Sequence, residues 1–291
     1  MKFGEFEVFL LEDGAFRLDG GAMFGVVPKV MWQKLAPPDD SNRILLHANC
    51  LLVKTGSETV LIDTGLGGKW DDKTRNMFAV DEPRRLMTEL ARCDVAKEDV
   101  THVVQSHLHF DHAGGGTYVD TDGKLKVQFP HAKYIVQKGE WDVANHPNLR
   151  DRMSYLPENL EPLEEAGVLE LVDGDAEVLP GIRMRVTGGH TRHHSIIQVT
   201  SDGHTLVFNA DLIPTASHLH VPYVMGYDLY PQQTMDFKSH YLPEAHENGY
   251  LMIFEHGPSL KAGHLKKDDR GRWKAERFDM DVPNYEAALA L

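Results

Sequence analysis

Four potential metal ligands fall within six residues of this chain, and they constrain its fold and chemistry more than any other feature. They lie in the segment Ser106-His107-Leu108-His109-Phe110-Asp111-His112. Imidazole nitrogens and carboxylate oxygens together suit zinc or a similar borderline divalent cation. The segment therefore predicts a metalloenzyme.

The spacing within this segment predicts how many ions are bound. Residues 101–106 are typical of a short buried strand, and the glycines at 114–116 allow a tight turn directly after the ligands. In extended backbone His107 and His109 point the same way, about 6.5 to 7 Å apart at Cα, so they can bind one ion. Asp111 and His112 follow at a different angle and can bind a second ion about 3.5 to 4 Å from the first. We therefore expect a two-metal site at the end of a strand.

Length and charge limit the possible partners. A chain of 291 residues without a Ser- or Gly-rich linker predicts a single domain, 1–291. The formal net charge of −14 repels a phosphate backbone and argues against nucleic acid, so a small-molecule substrate is expected. The N-terminal segment alternates and carries acids, unlike a signal peptide, and no apolar run reaches membrane-spanning length. We expect a cytoplasmic protein without a membrane partner.

Alternating strand and helix signals predict an α/β (α+β) fold. Strands are predicted at 5–11, 44–54, 59–63, 101–106, 132–137, 182–187, 195–200, 204–209 and 250–254. Helices are predicted at 83–92, 139–145, 157–166 and 232–247, the first of them opening at Pro83. Residues 54–58 and 201–204 have the composition of hairpin turns. The order suggests two mostly antiparallel sheets packed together, with helices outside.

Residues 20–43 form an apolar loop insertion broken by Gly and Pro. A loop this long inside a compact domain is usually functional or disordered, and its apolar content argues against disorder. We interpret it as the wall of an apolar pocket or as a homodimer contact, with simple core packing as the alternative.

Further ligands are expected downstream, because a closed two-metal site needs more than four. Three candidates follow predicted strands: His190 after Val186-Thr187-Gly188-Gly189, Asp211 after Phe208-Asn209-Ala210, and His256 after Phe254-Glu255. With these three residues the chain resembles the hydrolases of the metallo-β-lactamase superfamily. The resemblance rests on Leu61-Ile62-Asp63-Thr64-Gly65, the His-x-His-x-Asp-His run, Gly189-His190-Thr191, Ala210-Asp211 and His256. It implies an αββα four-layer sandwich with the site at one edge of the two sheets.

The resemblance also implies the roles of the ligands. His107, His109 and His190 would bind the first ion, and Asp111, His112 and His256 the second. Asp211 would bridge the two ions. The implied metals are two divalent ions, with Zn²⁺ favoured and Mn, Fe or Co as alternatives.

Two more residues resemble supporting groups around the ligands. Asp63 resembles the family's carboxylate that orients a ligand histidine, and an Asp-capped turn is the alternative. His194 matches a frequent supporting histidine, although Arg192-His193 stands where the family usually has Pro-Gly.

The segment Asp19–Lys29 is similar to that of quorum-quenching lactonases, which open N-acyl homoserine lactones. Related lactonases carry a helper Tyr three residues after the bridging Asp, where this chain has Pro214, so Tyr223 or Tyr227 would have to replace it. His218 alternates with His220 ahead of the Val221–Tyr227 segment and is a further candidate for the pocket. The expected pocket residues are Met23, Phe24, Val27, Trp32, His218, Tyr223 and Tyr227.

Hydrolysis is the expected reaction class. Water between two divalent ions loses a proton near neutral pH, and the bridging hydroxide that results is a strong nucleophile. Asp111 and Asp211 are the candidate catalytic carboxylates, because a carboxylate can take or pass the proton. We favour a lactonase; the alternatives are an organophosphate triesterase or aryl esterase on the same site, and a non-catalytic metal-binding sensor.

Overall fold

The computed structural model describes residues 1–80, residues 85–281 and Tyr285. In these ranges the strands form two seven-stranded sheets and a small two-stranded sheet. The first sheet contains β1 (Lys2–Phe3), β2 (Phe6–Asp19), β3 (Arg43–Lys54), β4 (Thr59–Ile62), β5 (His102–Val104), β8 (Lys133–Gln137) and β9 (Leu169–Val172). The small sheet pairs β6 (Thr117–Val119) with β7 (Leu125–Val127). The second sheet contains β10 (Ala176–Leu179), β11 (Ile182–Val186), β12 (Ser195–Ser201), β13 (His204–Phe208), β14 (Leu251–Ile253), β15 (Ala262–Lys267) and β16 (Trp273–Arg277).

The helices connect these strands. They are α1 (Gly20–Phe24), α2 (Lys29–Trp32), α3 (Asp72–Phe78), α4 (Leu86–Arg92), α5 (Phe110–Ala113), α6 (Lys138–Asn145), α7 (Pro157–Glu165) and α8 (Pro231–Glu247). Short 3₁₀ turns follow at Gly114–Gly116, Ala210–Leu212 and Ala216–His218. The predicted start of the first long helix at Pro83 lies outside the described residues. No helix within the described ranges is long and apolar enough to cross a membrane.

Apolar side chains separate four layers. One cluster lies between the sheets and includes Leu51 and Ile62 of the first sheet and Met184 and Ile197 of the second. Another covers the outer face of the first sheet with side chains of α4, α6 and α7. A third fills the space between the second sheet and α8. The predicted αββα sandwich is confirmed, and it follows from strands whose alternate side chains are buried on opposite faces.

The prediction that both sheets are mostly antiparallel is wrong for the first sheet. The second sheet is mostly antiparallel, but in the first sheet β4, β5, β8 and β9 all pair in parallel. The reason is the length of the connections, because parallel neighbours need a crossover of a dozen or more residues. Helices α3 and α4 lie between β4 and β5, and α6 and α7 lie between β8 and β9.

The segment 20–43, expected as a loop, contains the two short helices α1 and α2. Asp19 caps α1 by accepting a hydrogen bond from the backbone N–H of Ala22. Phe24 and Trp32 are buried in a fourth apolar cluster with Phe16 and Leu46. Side chains on the other side of the segment remain exposed, Val26 above all, at 91%. The buried side chains of the fourth cluster therefore hold the segment in place, while its exposed apolar side chains face the surface.

Candidate metal centre and active site

Parallel strand pairs in each sheet bring the candidate ligands to one edge. Ile62 of β4 aligns with Val104 of β5, so the residues after both strands leave the sheet together. Phe208 of β13 aligns in the same way with Ile253 of β14. Asp211 and His256 each follow three residues beyond these aligned ends. Carboxyl ends of parallel strands meet at the same edge, which is why ligands far apart in sequence converge here.

The first ligand group consists of His107, His109, His190 and Asp211. Their ligand atoms lie within 4.8 Å of one another, and all four residues are buried. His190 Nε2 lies 3.0 Å from His109 Nδ1 and 3.0 Å from Asp211 Oδ2. Two ligand atoms around one tetrahedral zinc are about 3.3 Å apart, given bonds of about 2.0 Å. The first ligand group therefore has the dimensions of a single-ion site.

The second ligand group consists of Asp111, His112 and His256, and it is also buried. His256 Nε2 lies 3.7 Å from Asp111 Oδ2, and His112 Nε2 lies 3.8 Å from Asp111 Oδ1. Asp211 reaches both groups: its Oδ2 is near His190, and its Oδ1 is 3.1 Å from His256 Nε2. One carboxylate thus faces both groups, which is the arrangement of a bridging ligand.

The unsatisfied atoms of the site fit metal ions. Within the described residues, His107 Nε2 and His112 Nε2 are buried without a hydrogen-bond partner. Such atoms are costly unless a ligand completes them. Burial, together with the imidazoles of His112 and His109, holds the pKa of His107 well below its usual range. His107 is therefore neutral, which is the protonation state that coordinates a metal.

Asp63 lies beneath the ligands on a buried turn after β4. Its carboxylate accepts hydrogen bonds from the backbone N–H and the hydroxyl of Ser106, at 2.7 and 2.6 Å. Its Oδ2 is also 3.0 Å from His112 Nδ1, so it can orient that ring. Ser106 Oγ lies 3.1 Å from His107 Nδ1 and extends the same support to a second ligand.

His194 contacts the backbone of Asp211. Its Nε2 accepts a hydrogen bond from the backbone N–H of Asp211 at 3.1 Å. Its Nδ1 lies 2.7 Å from Thr187 Oγ1, which fixes the orientation of the ring. The Arg192-His193 pair in place of Pro-Gly leaves this contact intact.

Three supporting carboxylates were not predicted from the sequence. Asp228 Oδ1 lies 3.0 Å from His190 Nδ1, and Glu255 Oε2 lies 2.9 Å from His112 Nδ1. Glu140 of α6 accepts hydrogen bonds from Thr191 Oγ1 at 2.6 Å and from the hydroxyl of Tyr155 at 2.9 Å. Glu255 directly precedes a ligand, which is a usable signal, whereas no sequence spacing marks Asp228 or Glu140.

A cavity of about 390 Å³ opens onto the metal site. It is lined by Leu18, Met23, Phe78, His109, Phe110, Asp111, Arg150, Asp151, Met153, Ser154, His190, Asp211, Met225, Gly226, Tyr227 and His256. Ligands from both groups form its floor, and its walls are largely apolar. This combination is typical of a small-molecule site.

Of the seven expected pocket residues, Met23 and Tyr227 line this cavity. The other five do not line it, and lie in or against the neighbouring apolar core: Phe24, Val27, Trp32, His218 and Tyr223. Phe24 explains most of this difference, because its ring stacks on Trp32 and on His218, with centroids 5.5 and 4.6 Å apart. Consecutive residues of a helix point about 100° apart, so burying Phe24 turns its neighbour Met23 toward the cavity.

Tyr227 lies in the cavity wall together with the carboxylates of the site. Burial, with nearby Asp19 and Asp111, raises the pKa of its hydroxyl to about 12. The phenol therefore stays protonated at neutral pH and can donate a hydrogen bond. Tyr223 instead packs edge-on against Phe24, outside the cavity lining.

Comparisons with known proteins agree with this geometry. The family model described as the metallo-beta-lactamase superfamily matches residues 43–251. An N-acyl homoserine lactonase of Bacillus cereus is 28% identical over 176 residues, which cover 57% of this chain and 63% of that protein. The match thus spans less than two thirds of that relative's length.

Two solved structures resemble the whole fold. A probable metal-dependent hydrolase from Staphylococcus aureus is 33% identical, with a TM-score of 0.86 over 95% of this chain and 99% of that one. AidC, described as a dizinc quorum-quenching lactonase in complex with a product, is 23% identical, with a TM-score of 0.78 over 96% and 97% of the two chains. The second likeness, at its lower identity, concerns the fold alone.

Proposed function

We propose that this chain, which belongs to the metallo-beta-lactamase superfamily, is a lactonase that opens N-acyl homoserine lactones. The chain is a metal-dependent hydrolase with lactonase-like relatives. The observation that carries the finer proposal is the cavity of about 390 Å³, whose floor is the paired ligand groups and whose walls are apolar. Cavities that bind small molecules commonly measure about 300 to 1,000 Å³.

Two divalent ions, for which we favour Zn²⁺, would be held by the first and second ligand groups with Asp211 between them. When bound, such a pair supplies an activated water and polarises the carbonyl that is attacked. Asp211 and Asp111 both border the cavity, so their carboxylate oxygens are placed to hold or pass a proton. We infer that this pair of carboxylates supplies the proton that converts the alkoxide released by ring opening into a hydroxyl group.

Pro214 occupies the position at which related lactonases carry a helper tyrosine, and Tyr227 would take over that role. Its protonated hydroxyl shares the cavity with Asp111 and Asp211, and it can donate a hydrogen bond to the lactone carbonyl. A donor aimed at the oxygen that gains charge lowers the barrier of acyl transfer. We infer that Tyr227 is the electrophilic group of the reaction.

The walls of the cavity suit an acyl chain. Leu18, Met23, Phe110, Met153 and Met225 all line it, and they offer a flexible apolar surface next to the ligands. Methionine side chains adapt to chains of different length because they are unbranched and flexible. We therefore expect several acyl lengths to be accepted, with a neutral lactone ring at the metal site.

A substrate panel with metal-loaded protein tests the proposal. We expect the kcat/KM for N-hexanoyl and N-decanoyl homoserine lactones to exceed that for an aryl ester and for a phosphotriester. The reverse order would replace the lactonase with an esterase or an organophosphate triesterase. Absence of turnover on every substrate, with both metals bound, would favour a metal-binding protein without catalysis.

A further inference from the structure

Asp151 is a buried carboxylate in the cavity wall. It lies in the turn after α6, is 6% exposed and lines the same cavity as His190 and Tyr227. Among the described residues, neither of its carboxylate oxygens has a hydrogen-bond partner. Most buried polar groups are paired, so an unpaired carboxylate at a ligand site indicates a partner that the ligand brings.

Asn148 and backbone N–H groups lie near Asp151 and act to lower its pKa, but none of them makes a hydrogen bond of normal geometry with its carboxylate. The guanidinium of the adjacent Arg150 is directed at the backbone carbonyls of Gly226 and Asp228. Burial raises the pKa of Asp151, and nearby backbone groups and Asn148 offset only part of this effect. The apolar side chains of Met153 and Met225 form adjoining parts of the wall. The carboxyl group of Asp151 therefore lies in a wall that is largely apolar, with Arg150 and Ser154 as its polar neighbours there.

We propose that Asp151 determines specificity by accepting a hydrogen bond from an N–H group of the substrate, such as the amide beside a lactone ring. This inference rests on the proposed lactonase function and adds the reason for selecting an N-acylated ring over a simple alkyl lactone. The ligand groups would hold the ions that activate the attacking water, and Asp151 would accept a hydrogen bond from the amide beside the ester carbonyl. Asp151 is thus a positioning residue that does not touch the reacting atoms.

The test compares two lactones with the same ring and the same chain length, one carrying the amide and one with a methylene chain in its place. The variants are Asp151→Leu, which removes the acceptor, and Asp151→Asn, which keeps an acceptor oxygen without charge. Arg152→Leu is the matched control, because the neighbouring side chain is exposed and does not line the cavity. Thermal unfolding of each variant is measured alongside.

For Asp151→Leu we expect the KM for the amide lactone to rise about 10-fold to 100-fold, as for the loss of a hydrogen bond to a charged group. The alkyl lactone should be hydrolysed as by the wild type. Asp151→Asn should recover part of the loss, since a neutral hydrogen bond is about half as strong. Neither variant should melt below the wild type, because an unpaired buried carboxylate costs stability.

Equal effects on both lactones, or no effect on either, would overturn the role of Asp151 while leaving the lactonase proposal intact. A fall in melting temperature with equal loss on both substrates would assign Asp151 a structural role instead. Failure of the wild type to hydrolyse either lactone would refute the lactonase proposal itself.

Discussion

Removing the carboxylate of Asp228 should weaken metal binding without dismantling the site. Asp228 is buried, and its Oδ1 lies 3.0 Å from Nδ1 of the ligand His190. Its other oxygen, Oδ2, has no hydrogen-bond partner in the described part of the chain. Asp228→Ala therefore deletes one charge-assisted hydrogen bond to a ligand ring, and the contact of Arg150 with the backbone carbonyl of residue 228 remains possible.

The size of the effect follows from that single contact. A hydrogen bond to a charged group contributes about 1.5 to 3 kcal/mol, which corresponds to about 10-fold to 150-fold in an equilibrium constant. Partners of ligand histidines typically change metal affinity about 10-fold to 100-fold, so both routes agree. Asp228→Asn should lose less metal affinity than Asp228→Ala, because an amide oxygen can still accept a hydrogen bond from the N–H of His190 Nδ1.

Competition with a chromophoric chelator measures this affinity directly. Asp236→Ala on α8 is the control, since its exposed carboxylate accepts a hydrogen bond from Gln232 and lies outside the cavity lining. Wild-type metal affinity in Asp228→Ala would refute the reasoning. Loss of thermal stability with unchanged metal affinity would show that His190 is held for folding and not for coordination.

Asp211→Ala should bind about one ion per chain instead of two, as measured by elemental analysis, and its kcat should fall more than about 100-fold. Two bound ions with a normal kcat would exclude Asp211 as the bridging ligand. Tyr227→Phe should lower kcat about 10-fold to 100-fold with a smaller change in KM, and an unchanged kcat would remove its electrophilic role. We propose a homodimer contact through Val26 and Val30, whose side chains are 91% and 66% exposed. Replacing both with Glu should change the molar mass measured by light scattering from that of a dimer to that of a monomer. A monomeric wild type would contradict this proposal. Burial lowers the pKa of His218 to about 4, so this group favours the native state above pH 6.5 and loses that contribution as pH falls toward 4. Between pH 7.5 and 5 the wild type should lose about 2 kcal/mol more unfolding free energy than His218→Gln, and equal losses in urea titrations would contradict the shift.

The sequence identifies the seven candidate ligands that the structure brings together, because His107, His190, Asp211 and His256 each lie three or four residues beyond a strand. Strand periodicity and the tight spacing of residues 107–112 are local signals, and His190, Asp211 and His256 carry the same local context. The pairing of strands then brings these ends to one edge. Local patterns are sufficient to identify these candidates, because each lies shortly after a strand or in the tight run at 107–112.

Pocket residues could not be predicted in the same way. The apolar character of the segment 20–43 is visible in the sequence, but which of its side chains face the cavity depends on tertiary packing. Phe24 is buried against Trp32, while its neighbour Met23 reaches the cavity. Phe78 lines the cavity from α3, a helix that is not among those predicted from the sequence. The parallel order of β4, β5 and β8 was missed for a similar reason, since pairing is a property of the whole sheet.

The supporting contacts show why a motif identifies ligands but not their affinity for metal. The ring of His112 is oriented by Asp63, 49 residues earlier in the chain, and by Glu255, 143 residues later. The ring of His190 is oriented by Asp228, 38 residues later. His256 Nδ1 lies 2.8 Å from the backbone carbonyl of residue 47 in β3, so even this ring is oriented by a different strand. A ligand ring that is free to rotate must be ordered when the metal binds, and that entropy weakens binding. We therefore expect long-range contacts that the completed fold provides to set much of the metal affinity, so variants at those partners should change affinity while the ligand motif stays intact.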